Sequence, residues 1–248
     1  PRISTSGSIP ARCAAKAELM YRSALLILAC ITSHWIGAQV VVTGAMRRTM
    51  WEGQLAGLIL LDSIAKPGTY GIGPLEYLRG EITLVDGHSF VSTAVNDSAM
   101  RVEERSDVKA PFFVRAQVSG WVDVPLPMEV VDLLSLDAFL TAWGKDRSPP
   151  FVFRIDGLVT EAQLHVMDVP PGTEIHGPDE AHASQKNFTL REVDAELVGF
   201  FSTRHKAVFT HHDTNIHVHL VTADRSAMGH VEQLLLDPRR VRLKVGLP

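Results

Sequence analysis

The stretch that most constrains this chain is Ile216-His217-Val218-His219-Leu220, where apolar residues alternate with imidazoles. Side chains on a β-strand point to opposite faces in turn, so strict alternation specifies a half-buried strand. Ile216, Val218 and Leu220 then face a core. His217 and His219 project together from the other face, roughly 6–7 Å apart along the strand. Two neutral imidazoles at that spacing suit one divalent metal, with bonds of about 2.0–2.1 Å. His230 follows Gly229 and opens another apolar run, so a neighbouring strand supplies a third ligand. Three histidines and an open position is the arrangement of a catalytic zinc, although the donor set also accepts other divalent first-row ions.

The rest of the chain suits a globular protein. It has 248 residues with 46% hydrophobic and 21% charged, enough for one large domain or two packed lobes. The formal charge of -4 gives no footprint for nucleic-acid binding. Residues 1–38 read differently. Met20-Tyr21-Arg22 is a short basic start, Ser23 to Ile31 is an apolar run, and Ile36-Gly37-Ala38 ends in small residues. That order is a secretory signal peptide with cleavage near Ala38, preceded by upstream translated residues 1–19. The run is too short for a stable membrane span. The expectation is an exported protein, periplasmic or secreted. Both cysteines, Cys13 and Cys30, lie in this segment, which leaves the mature chain without disulfides or thiolate ligands. Residues 1–38 carry four bases and one acid, so the mature balance is 20 bases against 27 acids, or -7.

Strand signals dominate beyond residue 38. Asp86-Gly87 between two β-prone runs predicts a hairpin. Ser135 to Trp143 is the best helix, with Leu136, Phe139 and Leu140 on one face. Tyr70-Gly71-Ile72-Gly73-Pro74 lacks a following Gly-Lys-Ser/Thr and reads as a tight turn rather than a phosphate loop. Phe151–Ile155 and Leu158–Val169 read as separate strands. Val231–Leu236 and Val241–Val245 read as a terminal hairpin. The expected fold class is α+β and β-rich: two packed, mostly antiparallel or mixed sheets, few helices, and the metal site between them. Residues 39–147 form an N-terminal lobe and 148–248 a C-terminal lobe carrying the metal ligands, packed as one compact unit.

Several of these landmarks, in order, resemble the alpha-acetolactate decarboxylase family. They are Tyr70-Gly71-Ile72-Gly73 with Gly80-Glu81-Ile82 and Asp86-Gly87, then Lys109-Ala110-Pro111-Phe112, Phe153-Arg154-Ile155-Asp156-Gly157 and Val198-Gly199-Phe200-Phe201. The series ends in His217-Val218-His219 and Gly229-His230-Val231. The resemblance implies two β-rich lobes with zinc in the cleft, a homodimer, and a zinc-dependent carboxy-lyase converting 2-acetolactate to acetoin and carbon dioxide. It implies His217, His219 and His230 as ligands and Glu81 as the acidic residue beside the metal. The partner is a small hydroxy-keto acid.

Two features depart from the family. Its carboxylate-binding arginine, on the strand after Arg-Ile-Asp-Gly, is replaced here by His165. Its glutamate near the C-terminus has no counterpart in a chain that stops eighteen residues after His230. The metal end is therefore better matched than the substrate end. Arg154 reads equally as a structural pairing residue or a substrate cation, and His165 as a pocket residue in a functional position. His211-His212-Asp213-Thr214 reads either as a loop that orients the metal ligands or as an exposed polar turn. His176, His182 and His205 receive no role. Two rivals stay open: a different metal-dependent lyase or isomerase on the same scaffold, and a non-catalytic exported zinc-binding protein.

Overall fold

The computed structural model describes residues 37–147 and 150–248. The proposed signal segment thus falls almost wholly outside the described residues. Two six-stranded antiparallel sheets face each other. The first contains β1 (Val40–Thr43), β3 (Thr69–Pro74), β4 (Glu81–Val85), β5 (His88–Asn96), β6 (Ala99–Glu104) and β8 (Phe113–Gln117), in the order β1-β8-β3-β4-β5-β6. Short strands β2 (Ile59–Leu60) and β7 (Lys109–Ala110) pair separately. The second sheet contains β9 (Gly120–Val124), β10 (Phe151–Val166), β11 (Lys186–Phe201), β12 (Ile216–Thr222), β13 (Met228–Leu235) and β14 (Val241–Leu247), in the order β11-β12-β13-β10-β14-β9. Strand β9 therefore leaves the first sheet's run of sequence and edges the second.

The hairpin at Asp86-Gly87 joins β4 to β5, with Val85 opposite His88. Both turn residues have positive φ, 50° and 86°, the conformation that a two-residue I′ turn requires. Tyr70 to Pro74 is a strand, not a turn. A Cβ on Gly71 or Gly73 would come within 2.4 and 2.9 Å of the Phe113 ring, so these glycines make room for an aromatic side chain on the neighbouring strand.

The second sheet differs from its sequence reading in two ways. The two apolar runs before and after Gly157 fuse into one sixteen-residue strand, β10. Gly157 has φ +134°, and a Cβ there would lie 2.3 Å from the Arg240 carbonyl oxygen, so only glycine permits this irregular close approach. The expected terminal hairpin is also absent. Strand β14 pairs with the first half of β10 (Phe153–Gly157) and β13 with the second half (Glu161–His165). Because β10 also pairs with β11 along its length, the circuit β10-β11-β12-β13 closes on itself.

Between the sheets lies a core of Tyr70, Ile72, Val114 and Ala116 from one side and Val152, Val198, Phe200 and Val221 from the other. Helix α1 (Met46–Glu52) and the short α3 (Pro178–His182) contribute Met46, Met50 and Ala181 to a second apolar cluster with Met167 and Phe112. Helix α2 (Leu133–Gly144) covers the second sheet with Leu136 and Leu140 buried. Its first turn is closed by a capping box: the Ser135 N–H donates to Asp132 Oδ1 at 2.8 Å, while the Asp132 N–H donates to Ser135 Oγ at 3.0 Å.

Candidate metal centre and active site

The alternation at Ile216–Leu220 places His217 and His219 on the same face of β12. The ladder then adds their neighbours. His219 stands opposite His230 on β13, and His230 stands opposite His165 on β10. Four imidazoles thus share one patch of the second sheet, and all four are buried. The ligand atoms of His217, His219 and His230 lie within 4.8 Å of one another. The rings of His217 and His219 meet edge-on at 5.1 Å, and those of His219 and His230 at 5.5 Å.

The facing sheet closes the site. Glu81 and Thr83 alternate on β4, so both project towards the histidines. Thr83 Oγ1 lies 3.0 Å from His219 Nδ1. The Glu81 carboxyl sits 3.8 Å from His219 Nε2 through one oxygen and 3.7 Å from His165 Nε2 through the other. The Met167 N–H donates to Glu81 Oε1 at 3.4 Å. Burial raises the Glu81 pKa well above the usual carboxylate range, against the opposing pull of that backbone donor. Burial also lowers the imidazoles: His217 falls to about 3, helped by repulsion from His211, and His219 and His230 fall well below their ordinary value.

This donor set fits a metal. His217 Nδ1 is 2.7 Å from the Phe209 carbonyl oxygen, which only accepts, so Nδ1 carries the hydrogen and Nε2 keeps its lone pair. His219 Nε2 is buried with no hydrogen-bond partner. An orphaned polar atom in that position costs stability unless something electrophilic meets it. Neutral imidazoles converging in a dry site are what a divalent cation needs.

Above the histidines is a cavity of about 210 Å³ whose lining includes Glu81, His165, His182, His211, His217 and His230, with Met50, Trp51 and Phe112 on its apolar side. Of the residues singled out from sequence, Glu81, His165, His217, His219 and His230 come together. Arg154 does not join them. Its guanidinium donates to Asp156 at 3.1 Å and to Tyr70 Oη and Glu196 at 3.2 Å each, and it lies over the Trp121 ring outside the cavity. Those partners consume its charge locally. His211 stacks on His230 at 4.8 Å and lines the cavity, so its loop belongs to the site. His182 and Glu232 receive no role from the sequence. His182 reaches the cavity from α3, while Glu232 Oε1 lies 2.6 Å from His165 Nδ1. The spacing Val231-Glu232 after His230 puts Glu232 back on the His230 face, which is the one clue alternation offers.

Comparison with known proteins agrees with this architecture. The family model described as alpha-acetolactate decarboxylase matches residues 43–246. An alpha-acetolactate decarboxylase of Brevibacillus brevis is 25% identical over 187 residues, 75% of this chain and 62% of that protein. The chain therefore spans less than two thirds of that relative's length. The crystal structure of alpha-acetolactate decarboxylase from Bacillus subtilis strain 168 superposes with a TM-score of 0.69 at 19% identity, covering 85% of this chain and 86% of that one. A Staphylococcus aureus protein of unknown function, described as similar to alpha-acetolactate decarboxylase, gives 0.67 at 16% identity over 83% and 84%. At these identities the structural likeness shows a shared fold. The match to nearly the whole described chain shows more: this chain belongs to the alpha-acetolactate decarboxylase family.

Proposed function

We propose that this chain is a zinc-dependent carboxy-lyase that converts 2-acetolactate, or a similar 2-hydroxy-3-keto acid, to acetoin and carbon dioxide. One observation carries the reading: the unpartnered, buried Nε2 of His219 within a histidine triad, beside the buried carboxyl of Glu81. His217, His219 and His230 would hold the metal, which when bound supplies Lewis acidity towards the ketone and hydroxyl oxygens of the substrate. The chain's own residues do the rest. The apolar wall of Met50, Trp51 and Phe112 excludes water and strengthens each electrostatic contact inside. Loss of carbon dioxide breaks the bond between the substrate carboxylate and C2, and the bonding pair stays on the organic fragment. Glu81 holds a proton at its carboxyl, facing the triad, and delivers it to C2 to give acetoin. Thr83 fixes the His219 ring through Nδ1.

A specific observation favours a second reading. Among the described residues lining the cavity none is lysine or arginine, so no side chain offers the permanent cation a carboxylate substrate normally meets. A metal-dependent isomerase or lyase acting on an uncharged hydroxy-ketone suits such a lining. Incubating the purified protein with 2-acetolactate decides between them. Acetoin with carbon dioxide supports decarboxylation, whereas no turnover of 2-acetolactate together with turnover of an uncharged hydroxy-ketone such as acetoin selects the rival. We infer export from the basic, apolar, small-residue order of Met20 to Ala38. Recovery of the shortened chain outside the cytoplasm supports export, and recovery of the intact chain inside contradicts it.

A further inference from the structure

The ladder between β10 and β13 is irregular next to the histidines. Gln163 stands opposite Gln233 and Leu164 opposite Val231, which leaves Glu232 as the unpaired residue of a β-bulge. A bulge of this kind re-aims the side chain it carries. This one brings Glu232 Oε1 to 2.6 Å from His165 Nδ1. The two side chains stand in different places. His165 is buried and lines the 210 Å³ cavity above the triad. The Glu232 side chain is 37% exposed and lines a neighbouring cavity with Leu133 and Val218. Glu232 therefore acts on the site through His165, from the side that meets water.

An ionised carboxylate only accepts hydrogen bonds, so His165 Nδ1 donates its hydrogen to Glu232. The neutral ring then keeps its lone pair on Nε2. That nitrogen faces Glu81 Oε1 at 3.7 Å, too far for a hydrogen bond, and it has no other hydrogen-bond partner among the described residues. Packing holds the ring: it stacks on His230 with centroids 4.6 Å apart and meets His182 edge-on at 5.7 Å. The other oxygen of Glu81 lies 3.8 Å from His219 Nε2, so His165 and the triad flank one carboxyl. A fixed, unsatisfied acceptor thus opens into the cavity beside the triad.

We propose that His165 Nε2 accepts the hydroxyl hydrogen of the substrate, and that Glu232 is the positioning residue that keeps this nitrogen free to accept. A hydroxyl has lone pairs for an electrophile and one hydrogen for an acceptor, so it satisfies the triad side and His165 together. The described cavity lining holds no lysine or arginine, which leaves selection to neutral contacts of this kind. The substrate class narrows to compounds with a free hydroxyl beside the carbonyl. A site built to bond a hydroxyl rejects the analogue without that hydrogen, because its own buried group is left unpaired. This rests on the metal triad of the proposed function but not on the loss of carbon dioxide, since 2-acetolactate and acetoin both carry the hydroxyl.

Acetoin and its methyl ether, 3-methoxybutan-2-one, are the probes, each titrated into the zinc-loaded protein at pH 7.5 and followed by NMR. The parent protein is expected to bind acetoin about 10-fold more tightly than the ether, the worth of one hydrogen bond and its unpaired partner. The ¹⁵N spectrum of the same protein, labelled at histidine, is expected to show His165 with a hydrogen on Nδ1 and none on Nε2. Glu232→Leu is expected to move that hydrogen towards Nε2 and to reduce the preference for acetoin. Glu232→Gln, whose amide oxygen still accepts from Nδ1, is expected to restore both. Zinc per chain is expected to be equal in all three, which separates positioning of His165 from damage to His230. Equal binding of the two ketones by the parent protein, or no binding of acetoin, overturns the inference, as does a hydrogen on Nε2; none of these needs a variant to fold. Acetoin formation from 2-acetolactate is assayed on the same samples. Its absence removes the decarboxylase reading while the hydroxyl preference stands, and acetoin formation without that preference does the reverse.

Discussion

Glu81 faces the triad from the opposite sheet, and burial raises its pKa well above the usual carboxylate range. Replacing it by glutamine keeps the shape and removes the transferable proton. Glu81→Gln is expected to lower kcat for acetoin formation about 10²–10⁴-fold. Metal binding by the three histidines is expected to persist; equal kcat in the variant would contradict the role. The imidazoles give a pH dependence whose sign is fixed. In the metal-free protein the folded pKa of His217 is about 3, and those of His165, His211, His219 and His230 are also lowered by burial. An unfolded histidine titrates near 6.5, so between that pH and 3 the unfolded chain binds more protons. Stability is full above 6.5 and is lost as pH falls. Glu81, whose folded pKa is raised, works in the opposite sense above about 4.5, but one carboxyl opposes five imidazoles. The urea midpoint of the chelated protein is expected to be lower at pH 5 than at pH 7.5; an equal or higher midpoint would contradict this. At this scale the triad was legible because alternation and spacing are local. Glu81 was legible only through resemblance. Glu232 and His182 were not, because Glu232 depends on the pairing of β10 with β13, far apart in sequence, and His182 on how α3 packs at the cavity.

Strand β10 is the element on which the site depends. Its C-terminal end carries His165, its neighbour β13 carries His230, and the closed circuit of pairings holds both against β12. Strands β13 and β14 share one edge of β10, β14 pairing up to Gly157 and β13 from Glu161. Gly157→Ala adds a Cβ 2.3 Å from the Arg240 carbonyl oxygen at a φ of +134°. It is expected to cost about 1–3 kcal/mol or more in urea unfolding; a change below about 0.5 kcal/mol would show that this position does not need glycine. Alternation, the Asp86-Gly87 turn and the apolar face of α2 made most elements readable. Which strand pairs with which was not. Val231–Leu236 and Val241–Val245 are separated by a turn-like Asp237-Pro238-Arg239-Arg240, and local chemistry alone favours a hairpin there. Burial against the long β10 prevails over that local preference. Similarly, the glycines of β3 resemble a turn until Phe113 is seen against them.

Across the whole molecule, the second sheet contributes the imidazoles and the first contributes Glu81 and Thr83. A metal at the triad would cross-link β12 and β13 beneath the facing sheet, and its binding energy would become folding energy. At a free zinc concentration of about 100 times Kd the gain is roughly 2.7 kcal/mol, so Tm is expected to rise on adding zinc and to fall with chelator. An unchanged Tm would show that the folded state does not bind the ion preferentially. The start of the folded layer adds a further expectation. Ala38 is 1% exposed, and its N–H donates to the Gly246 carbonyl at 3.1 Å. If a leader is removed near Ala38, the mature protein is expected to keep that residue; an intact mass beginning at Gln39 would contradict it. The proposed decarboxylase activity depends on a metal held by the buried histidines of one sheet. Its most direct measurement is the rate of acetoin formation from 2-acetolactate as zinc is titrated into the chelated protein. A rate that starts near zero and rises with zinc bound to the protein is expected. A rate independent of zinc, or no acetoin at full occupancy, would contradict it.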